Sequence, residues 1–488
     1  MLFNSIEYAL FLPIVCLLYY KIPERFKKYH LLIASYLFYI CWNPWYSLLL
    51  LFSTLLTYFC GICLDMFRKE LHRKMTLVIT IVTSFGLLFL FKYYTFFNTS
   101  MVTMLNSIGV QAQLPNLSLL LPVGISFYTF QSVGYTIDVY RSKLPAEKDF
   151  VIYALFVSFF PQLAAGPIQR STSLINQLKA PRRFEYDKVT LGLKTMAIGF
   201  IKKMVIADTL AVQVNLVFNQ IDLNNAATYV VAAIFFTFQI YCDFSGYSDI
   251  AIGSAKVLGI DLSVNFNKPY FTRSIAEFWR CWHISLSSWF RDYLYFPLGG
   301  NRVSKIKWYR NIIVVFLVSG LWHGANWTYV IWGLLHGSYQ IMGSITSPIR
   351  RKVVAKIQLS RLTVLHSFIQ GLITFVFVCA AWIFFRANTI FDAIHIFKSL
   401  FGSIAVLINP YSFADLLRFG SLRREQVINC SCFIGFLLLY DTIDWKFGIW
   451  NIVGKMKPFI RVIFYIVVVY SFFWFMSTSS NEFIYVQF

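Results

Sequence analysis

The chain is poor in charge. Of its 488 residues only 13% are Asp, Glu, Lys or Arg, against 58% hydrophobic and 19% aromatic. A soluble domain carries about a quarter charged residues, so this deficit excludes an ordinary soluble protein. Acidic residues are the scarcer sign: 22 Asp and Glu face 43 Lys and Arg, a net charge of +21. In a soluble chain that surplus would suggest nucleic acid. Here the basic residues sit between apolar runs, where the positive-inside rule accounts for them, and no nucleic acid is expected. Also missing are a G-x-x-x-x-G-K-[ST] phosphate loop, a G-x-S-x-G elbow and an H-E-x-x-H zinc helix. Their absence removes nucleotide-driven transport and the common hydrolase and zincin mechanisms. No internal repeat supports an inverted-repeat transporter. The nine cysteines are scattered, and the one C-x-x-C, Cys60 to Cys63, lies within an apolar run. Packing, not redox or metal chemistry, is expected of it. No metal and no tightly bound cofactor are expected.

What the chain does have is a succession of apolar runs of membrane character. The clear ones cover 30–42, 46–63, 75–97, 226–242, 312–340, 366–386, 430–447 and 459–477. Further stretches at 8–20, 118–137, 150–163 and 189–212 are short or broken by Gly and Pro, as in LLPVGISFYTF (120–130) and FFPQLAAGPIQR (159–170). The first, Tyr8 to Tyr20, has no basic region before it and no small-residue cleavage site after it, so it is not expected to be a cleaved leader. Lipid cannot satisfy an open backbone, so broken segments at membrane depth line protein or a water-filled cavity. The expectation is an all-α polytopic integral membrane protein, one domain over 1–488. Scaffold spans occupy 1–117 and 343–488 around a catalytic core at 118–342. Loop 21–30 carries Lys21, Arg25, Lys27 and Lys28, and loop 68–74 carries Arg68, Lys69, Arg73 and Lys74; segment 98–117 has no Lys or Arg. This alternation predicts the N-terminus outside and the basic loops facing anionic lipid in the cytoplasm.

Three clusters carry potential chemistry. On a 100° wheel, Phe278, Trp282, Leu286, Trp289 and Tyr293 of SIAEFWRCWHISLSSWFRDYLYFPL (274–298) fall within about 80° of one another. Arg280, His283, Ser287 and Arg291 fall opposite. The spacing predicts one amphipathic helix, suited either to the membrane interface or to the border of an aqueous cavity. His283 is then either an interfacial polar group or a neutral hydrogen-bonding imidazole kept so by its flanking arginines. His323 sits deep in an apolar run, bracketed by Gly320 and Gly324. Ionisable residues there are expensive and read as functional, although a hydrogen-bonded structural histidine is the alternative. His336 lies thirteen residues further on; on one continuous helix it would be about 20 Å from His323 and unable to share its substrate. A structural role is expected of it. In QIYCDFSGYSD (239–249), Asp243 and Asp249 are six residues apart and face differently. Asp243 calls for a cationic or histidine partner: orienting the catalytic imidazole is one reading, a structural pair with an arginine the other.

The sequence resembles the membrane-bound O-acyltransferase (MBOAT) family, and within it the bacterial branch that O-acetylates alginate and peptidoglycan. The resemblance rests on PVGISFYTFQ (122–131), FFPQLAAGPIQR (159–170), DFSGYSDIAIG (243–253), NFNKPYFTRSIAEFWRCWHISLSSWFRDYLYFPLGGNR (265–302), SGLWHGANWTYVIWG (319–333), WIFFRA (382–387) and FIYVQF (483–488). It implies a ring of roughly 11–13 membrane helices around a tunnel, with broken or re-entrant segments. His323 would be the catalytic residue and His283 its assistant. Substrate-binding or supporting positions would be Gln162, Arg170, Asp243, Ser245, Asp249, Arg280, Trp322 and Asn326. The reaction implied moves an acetyl group from a cytoplasmic thioester, acetyl-CoA or another, to an external acceptor. An SGNH-type acyltransferase partner and a cell-surface or exported polysaccharide complete the scheme, in the bacterial inner membrane. D-alanyl transfer to teichoic acid from a carrier-protein thioester, and solute transport with His323 as a proton relay, are the rival readings.

Overall fold

A computed structural model describes residues 1–111, 115, 117, 119–402, 420–477, 483 and 484. Among them the chain is helical and has no strand. Helices α1 (Ile6–Lys21), α2 (Glu24–Ile40), α3 (Pro44–Met66) and α4 (Glu70–Leu88) open the fold, and α4 continues through a π-turn, Phe89–Tyr93, into α5 (Tyr94–Ser107). Local signals set these boundaries: α3 starts where the Asn43 side chain accepts from the Trp45 amide at 3.0 Å, with Pro44 in the first turn. Cys60 and Cys63 both lie within α3, and Cys60 is packed in the core.

The middle of the chain is broken. Helix α6 (Ile125–Tyr140) and the short α7 (Phe150–Ser158) and α8 (Phe160–Leu163) precede the amphipathic α9 (Ser171–Lys179). Almost every residue of α6, polar or apolar, is buried, as expected of a segment that lines protein instead of lipid. Chain breaks at this depth survive because side chains take over the backbone bonds. The Phe156 carbonyl, at the end of α7, accepts from the amides of Gln131 and Gln162, the latter at 2.8 Å. The Phe160 amide donates to Ser35 Oγ at 3.1 Å, and the Ile168 amide to Ser285 Oγ at 3.1 Å.

Next come α10 (Tyr186–Phe200), a π-turn at Ile201–Ala207, α11 (Asp208–Phe218) and the 32-residue α12 (Ala226–Val257). Helix α12 is the centre of the molecule: 78% of its most apolar window is buried in protein. It meets α10 antiparallel through glycines. A Cβ on Gly199 would come within 2.6 Å of the Gly246 carbonyl, and one on Gly253 within 2.5 Å of the Gly192 carbonyl. Small residues let the backbones touch. That contact presents the next two residues of the π-turn to α12: Lys202 pairs with Asp249 at 2.8 Å and Lys203 with Asp243 at 2.6 Å.

Region 274–298 is not one helix. It divides into α13 (Ile275–Cys281), α14 (Ile284–Phe290) and a π-turn at Arg291–Tyr295. Its Trp-rich face is buried in protein, with Trp282 fully enclosed. The run 312–340 likewise divides, into α15 (Lys305–His323) and α16 (Trp327–Lys356), which fold back on each other. The fold closes with α17 (Thr363–Arg386), α18 (Ile390–Gly402), α19 (Arg424–Phe447), α20 (Ile449–Lys455) and α21 (Pro458–Phe475).

Six helical segments among the described residues are long and apolar enough to cross a membrane: 44–66, 70–107, 226–257, 363–386, 424–447 and 458–475. No residue in the apolar window of α21 is fully buried, and the helix packs at its edge, with Phe475 against Phe433 at 5.7 Å. Beyond it, Phe483 and Ile484 return to the core; residues 485–488 of the FIYVQF tail lie outside the described residues.

Replacing Gly246 with Leu is expected to destabilise the protein by about 1–3 kcal/mol or more through overpacking of the α10–α12 contact. Gly343→Ala, where a Cβ meets nothing within 4 Å, should leave stability unchanged. Thermal unfolding of the detergent-purified variants checks both.

Candidate active site

His323 is the last residue of α15. Gly324 leaves the helix in extended conformation, and a Cβ there would lie 2.2 Å from the Tyr329 ring. One turn earlier, a Cβ on Gly320 would lie 2.3 Å from the Tyr329 carbonyl. The two glycines therefore do different work: one lets α16 approach, the other ends α15 at the histidine. The imidazole is 2% exposed and set among rings, Trp332 edge-on at 4.9 Å and Phe385 at 5.4 Å.

His283 comes from the break between α13 and α14 and is fully buried. Its φ of 43° is left-handed, a conformation uncommon outside glycine and strained enough to need support. Asn265 supplies it. The Ile284 amide donates to the Asn265 carbonyl at 2.9 Å, and Ser285 Oγ donates to Asn265 Oδ1 at 2.7 Å. Phe244, from α12, meets the His283 ring edge-on at 4.6 Å, and Trp322 lies at 5.6 Å. The outcome is a pair: the His283 and His323 ring centroids are 6.3 Å apart, in the interior of the bundle.

This arrangement corrects two expectations and gives a third its partner. The flanking arginines do not share the surroundings of His283: Arg280 is exposed with its Nε donating to the Ala276 carbonyl at 3.3 Å, and Arg291 pairs with Asp292 at 3.0 Å. The kink at His283 turns the imidazole inward and leaves the guanidiniums outside. His336 is not 20 Å from His323, because the chain turns at 324–326. The Trp332 ring lies between them, 4.9 Å from His323 and 5.0 Å from His336. His336 Nδ1 accepts from the Trp279 indole at 3.2 Å. Asp243 has the expected cationic partner, but it is a lysine and not an arginine or an imidazole. Lys203 holds it, while its second oxygen accepts from the Ile484 amide at 2.8 Å; Lys203 also binds Asp208 at 2.9 Å. Breaking a buried pair of this kind costs about 3–5 kcal/mol.

The other expected positions divide. Trp322 lies against His283, and Asn326 caps α16 by accepting from the Thr328 amide at 3.1 Å and borders a cavity next to His323. Gln162 closes the end of α7, Arg170 pairs with Asp292 at 2.6 Å, and Asp249 is held by Lys202. Ser245 is buried on α12, and its hydroxyl has no hydrogen-bond partner among the described residues.

Lys92 also belongs to the site, although the sequence motifs do not single it out. It sits on the π-turn after α4 and donates to the Trp322 carbonyl at 2.7 Å, and Tyr93 from the same turn donates to the Leu321 carbonyl at 2.8 Å. Together they satisfy the last carbonyls of α15, at the negative end of its dipole. A lysine in the run 75–97 was a visible signal, since charge in a span marks function by default. Two cavities adjoin the site. One of about 610 Å³ reaches Gly324, Lys92 and Arg386; the other, of about 360 Å³, runs along α15 from Trp308 to Ser319 and reaches Arg280 and Arg291. No group of His, Cys, Asp and Glu capable of holding a metal exists among the described residues.

Asn265→Ala is expected to cost about 1–3 kcal/mol, through the buried hydrogen bonds it removes, and to lower activity by freeing His283. Thermal unfolding and acyl-transfer assays on one preparation measure both.

Comparison with known proteins fits this geometry. The family model for MBOAT, the membrane-bound O-acyltransferase family, matches residues 44–388. The chain is 40% identical to the probable alginate O-acetylase AlgI of Pseudomonas aeruginosa over 438 residues, covering 88% of this chain and 80% of that protein. It is 36% identical to the peptidoglycan O-acetyltransferase of Helicobacter pylori over 434 residues, covering 82% and 80%. It is 31% identical to the teichoic acid D-alanyltransferase of Bacillus subtilis over 224 residues, covering 44% and 56%. A polytopic helical chain with two histidines brought together at its centre, it belongs to the membrane-bound O-acyltransferase family.

Proposed function

We propose that the chain transfers an acetyl group from a cytoplasmic thioester, acetyl-CoA or another acyl thioester, to an external hydroxyl, in the O-acetylation of a cell-surface or exported polysaccharide. The convergence of His323 and His283 from separate elements, 6.3 Å apart between their ring centroids, carries this reading. His323 accepts the proton of the acceptor hydroxyl as the new oxygen–acyl bond forms. The carbon–sulfur bond then breaks, and the thiolate leaves with the proton that the imidazolium returns. General-base help of this kind is worth about 10²–10⁴ in rate. His283 positions the reacting groups beside it, and buried Trp322 and Trp332 keep water from intercepting the acyl group.

One cavity beyond the C-terminal end of α15 and another along Trp308 to Ser319 suit two substrates that arrive from opposite faces. The cavity beside Arg280 and Arg291 would admit the donor, and the one beside Asn326 the acceptor, in a bacterial inner membrane with the N-terminus outside. An SGNH-type acyltransferase would carry the group onward to the polymer. D-alanyl transfer is less well supported, because the D-alanyltransferase relative matches 44% of the chain against 88% for the alginate O-acetylase.

In cells lacking other members of the family, His323→Ala should reduce acetyl incorporation into exported polymer by about 10²–10⁴-fold while the protein stays folded and inserted. Wild-type acetylation by that variant would refute the assignment. His283→Asn, which tolerates a left-handed backbone, should also impair turnover; full activity would reduce His283 to a structural turn residue.

A further inference from the structure

The cavity of about 360 Å³ along α15 comes within one helical turn of both histidines. Ser319 lines it and precedes His323 by four residues on α15. Ser287 lines it and follows His283 by four, its amide donating to the His283 carbonyl at 2.9 Å. The exposed Arg280 and Arg291 form its outer side, and the buried Trp279, Leu286, Phe290 and Phe316 wall it within. Of these rings Trp279 leads toward the reaction centre. It meets Phe316 at 5.2 Å and Trp332 at 5.6 Å, and Trp332 meets the His323 ring at 4.9 Å. Two indoles in series thus link the cavity wall to the catalytic imidazole.

The transfer chemistry leaves His336 without a task, yet its imidazole is fully buried. Its Nδ1 accepts from the Trp279 indole at 3.2 Å. An indole nitrogen only donates, so the His336 ring is neutral and carries its proton on Nε2. Nε2 has no hydrogen-bond partner among the described residues, which leaves Trp279 as the group this imidazole serves. The ring packs nearly parallel to those of Phe278 at 6.1 Å and Phe316 at 6.2 Å. A buried indole N–H needs an acceptor, and an acceptor fixed on α16 holds Trp279 of α13 in one rotamer. A wall that sets length has to be rigid, because a ring free to turn would yield to a longer chain.

We propose that Trp279 is the end wall of the donor cavity and confines the transferred acyl group to acetyl, with His336 as the positioning residue that pins it. In a close-packed apolar site each added methylene is discriminated about 10–200-fold. A propionyl or butyryl group would have to displace an indole held by both packing and a hydrogen bond. The inference rests on the acyl-transfer reading of His323 and on the donor role given to this cavity, and adds the residues that set acyl length.

Inverted membrane vesicles from cells that export the polymer hold the full chain with its own acceptor and test this. The readout is thiol release from acetyl-, propionyl- and butyryl-coenzyme A, with His323→Ala vesicles as the blank. The wild type is expected to favour acetyl over butyryl by about 100-fold or more in kcat/KM. Trp279→Ala and Trp279→Phe should each lower that ratio about tenfold or more. His336→Leu, which keeps bulk but removes the acceptor, should lower it as well; His336→Asn, whose Oδ1 accepts the indole N–H, should retain it. If the Trp279 variants do not fold, the His336 pair decides. Variants that slow all three donors alike and leave the ratio unchanged would overturn the inference, as would equal use of acetyl and butyryl by the wild type. Either result with His323-dependent release intact leaves the acyl-transfer reading standing. No His323-dependent release from any of the three thioesters would overturn both.

Discussion

The structure depends on how charge is neutralised around α12. Two consecutive lysines of a π-turn, Lys202 and Lys203, reach two aspartates six residues apart on one long buried helix. They reach them because α10 and α12 touch backbone to backbone at their glycines. With that contact loosened, each charge would be left in a medium where an unpaired ion is several kcal/mol too high. The pairing also fixes what α12 presents elsewhere. Asp243 accepts from the Ile484 amide, Tyr247 stacks on Phe483 at 4.3 Å, and Phe244 meets the His283 ring. The lysine pairs, Phe483 and Ile484, and His283 thus all meet on one helix.

The same economy of irregular backbone recurs. Three π-turns occur among the described helices, at 89–93, 201–207 and 291–295. Each carries a charged residue that other parts of the fold engage: Lys92 at the end of α15, Lys202 and Lys203 on α12, and Asp292 with Arg170. A π-turn shifts the helix face locally, so a charge can be aimed inward without unwinding the helix. His283 achieves a similar result by a left-handed residue between two short helices. Irregular backbone is tolerable here because it is enclosed in protein, with Asn265, Gln131 and Gln162 satisfying the freed groups.

Much of this was legible. The low charge, the apolar runs and the interruptions at 120–130 and 159–170 foretold a helical membrane protein with an enclosed polar middle. His323 stood out because an imidazole in a hydrocarbon-like run is expensive. Less legible were the breaks. Periodicity treats 274–298 and 312–340 as continuous, yet one kinks at His283 and the other turns at Gly324, and both histidines owe their positions to those breaks. Lys92 was visible as a charge in a span, but its destination at the carbonyls of α15 was not. The site also draws on Lys92 and Phe385, from segments expected to be scaffold, since a cavity wall is set by packing and not by order along the chain.

By itself the sequence determined the solvent the protein is built for, the helical class and the residues too costly to be idle: His323, Asp243, Asp249. Composition and spacing suffice for these because transfer into hydrocarbon acts on each residue separately. Which partner each costly residue has was decided only in three dimensions. Asp243 could have taken a histidine, an arginine or a lysine; close packing at Gly199 and Gly246 made it Lys203. Likewise the 6.3 Å separation of His283 and His323 arises from two helix breaks held by contacts with distant segments. Pairing depends on geometry between elements, and that geometry is settled when the whole bundle packs.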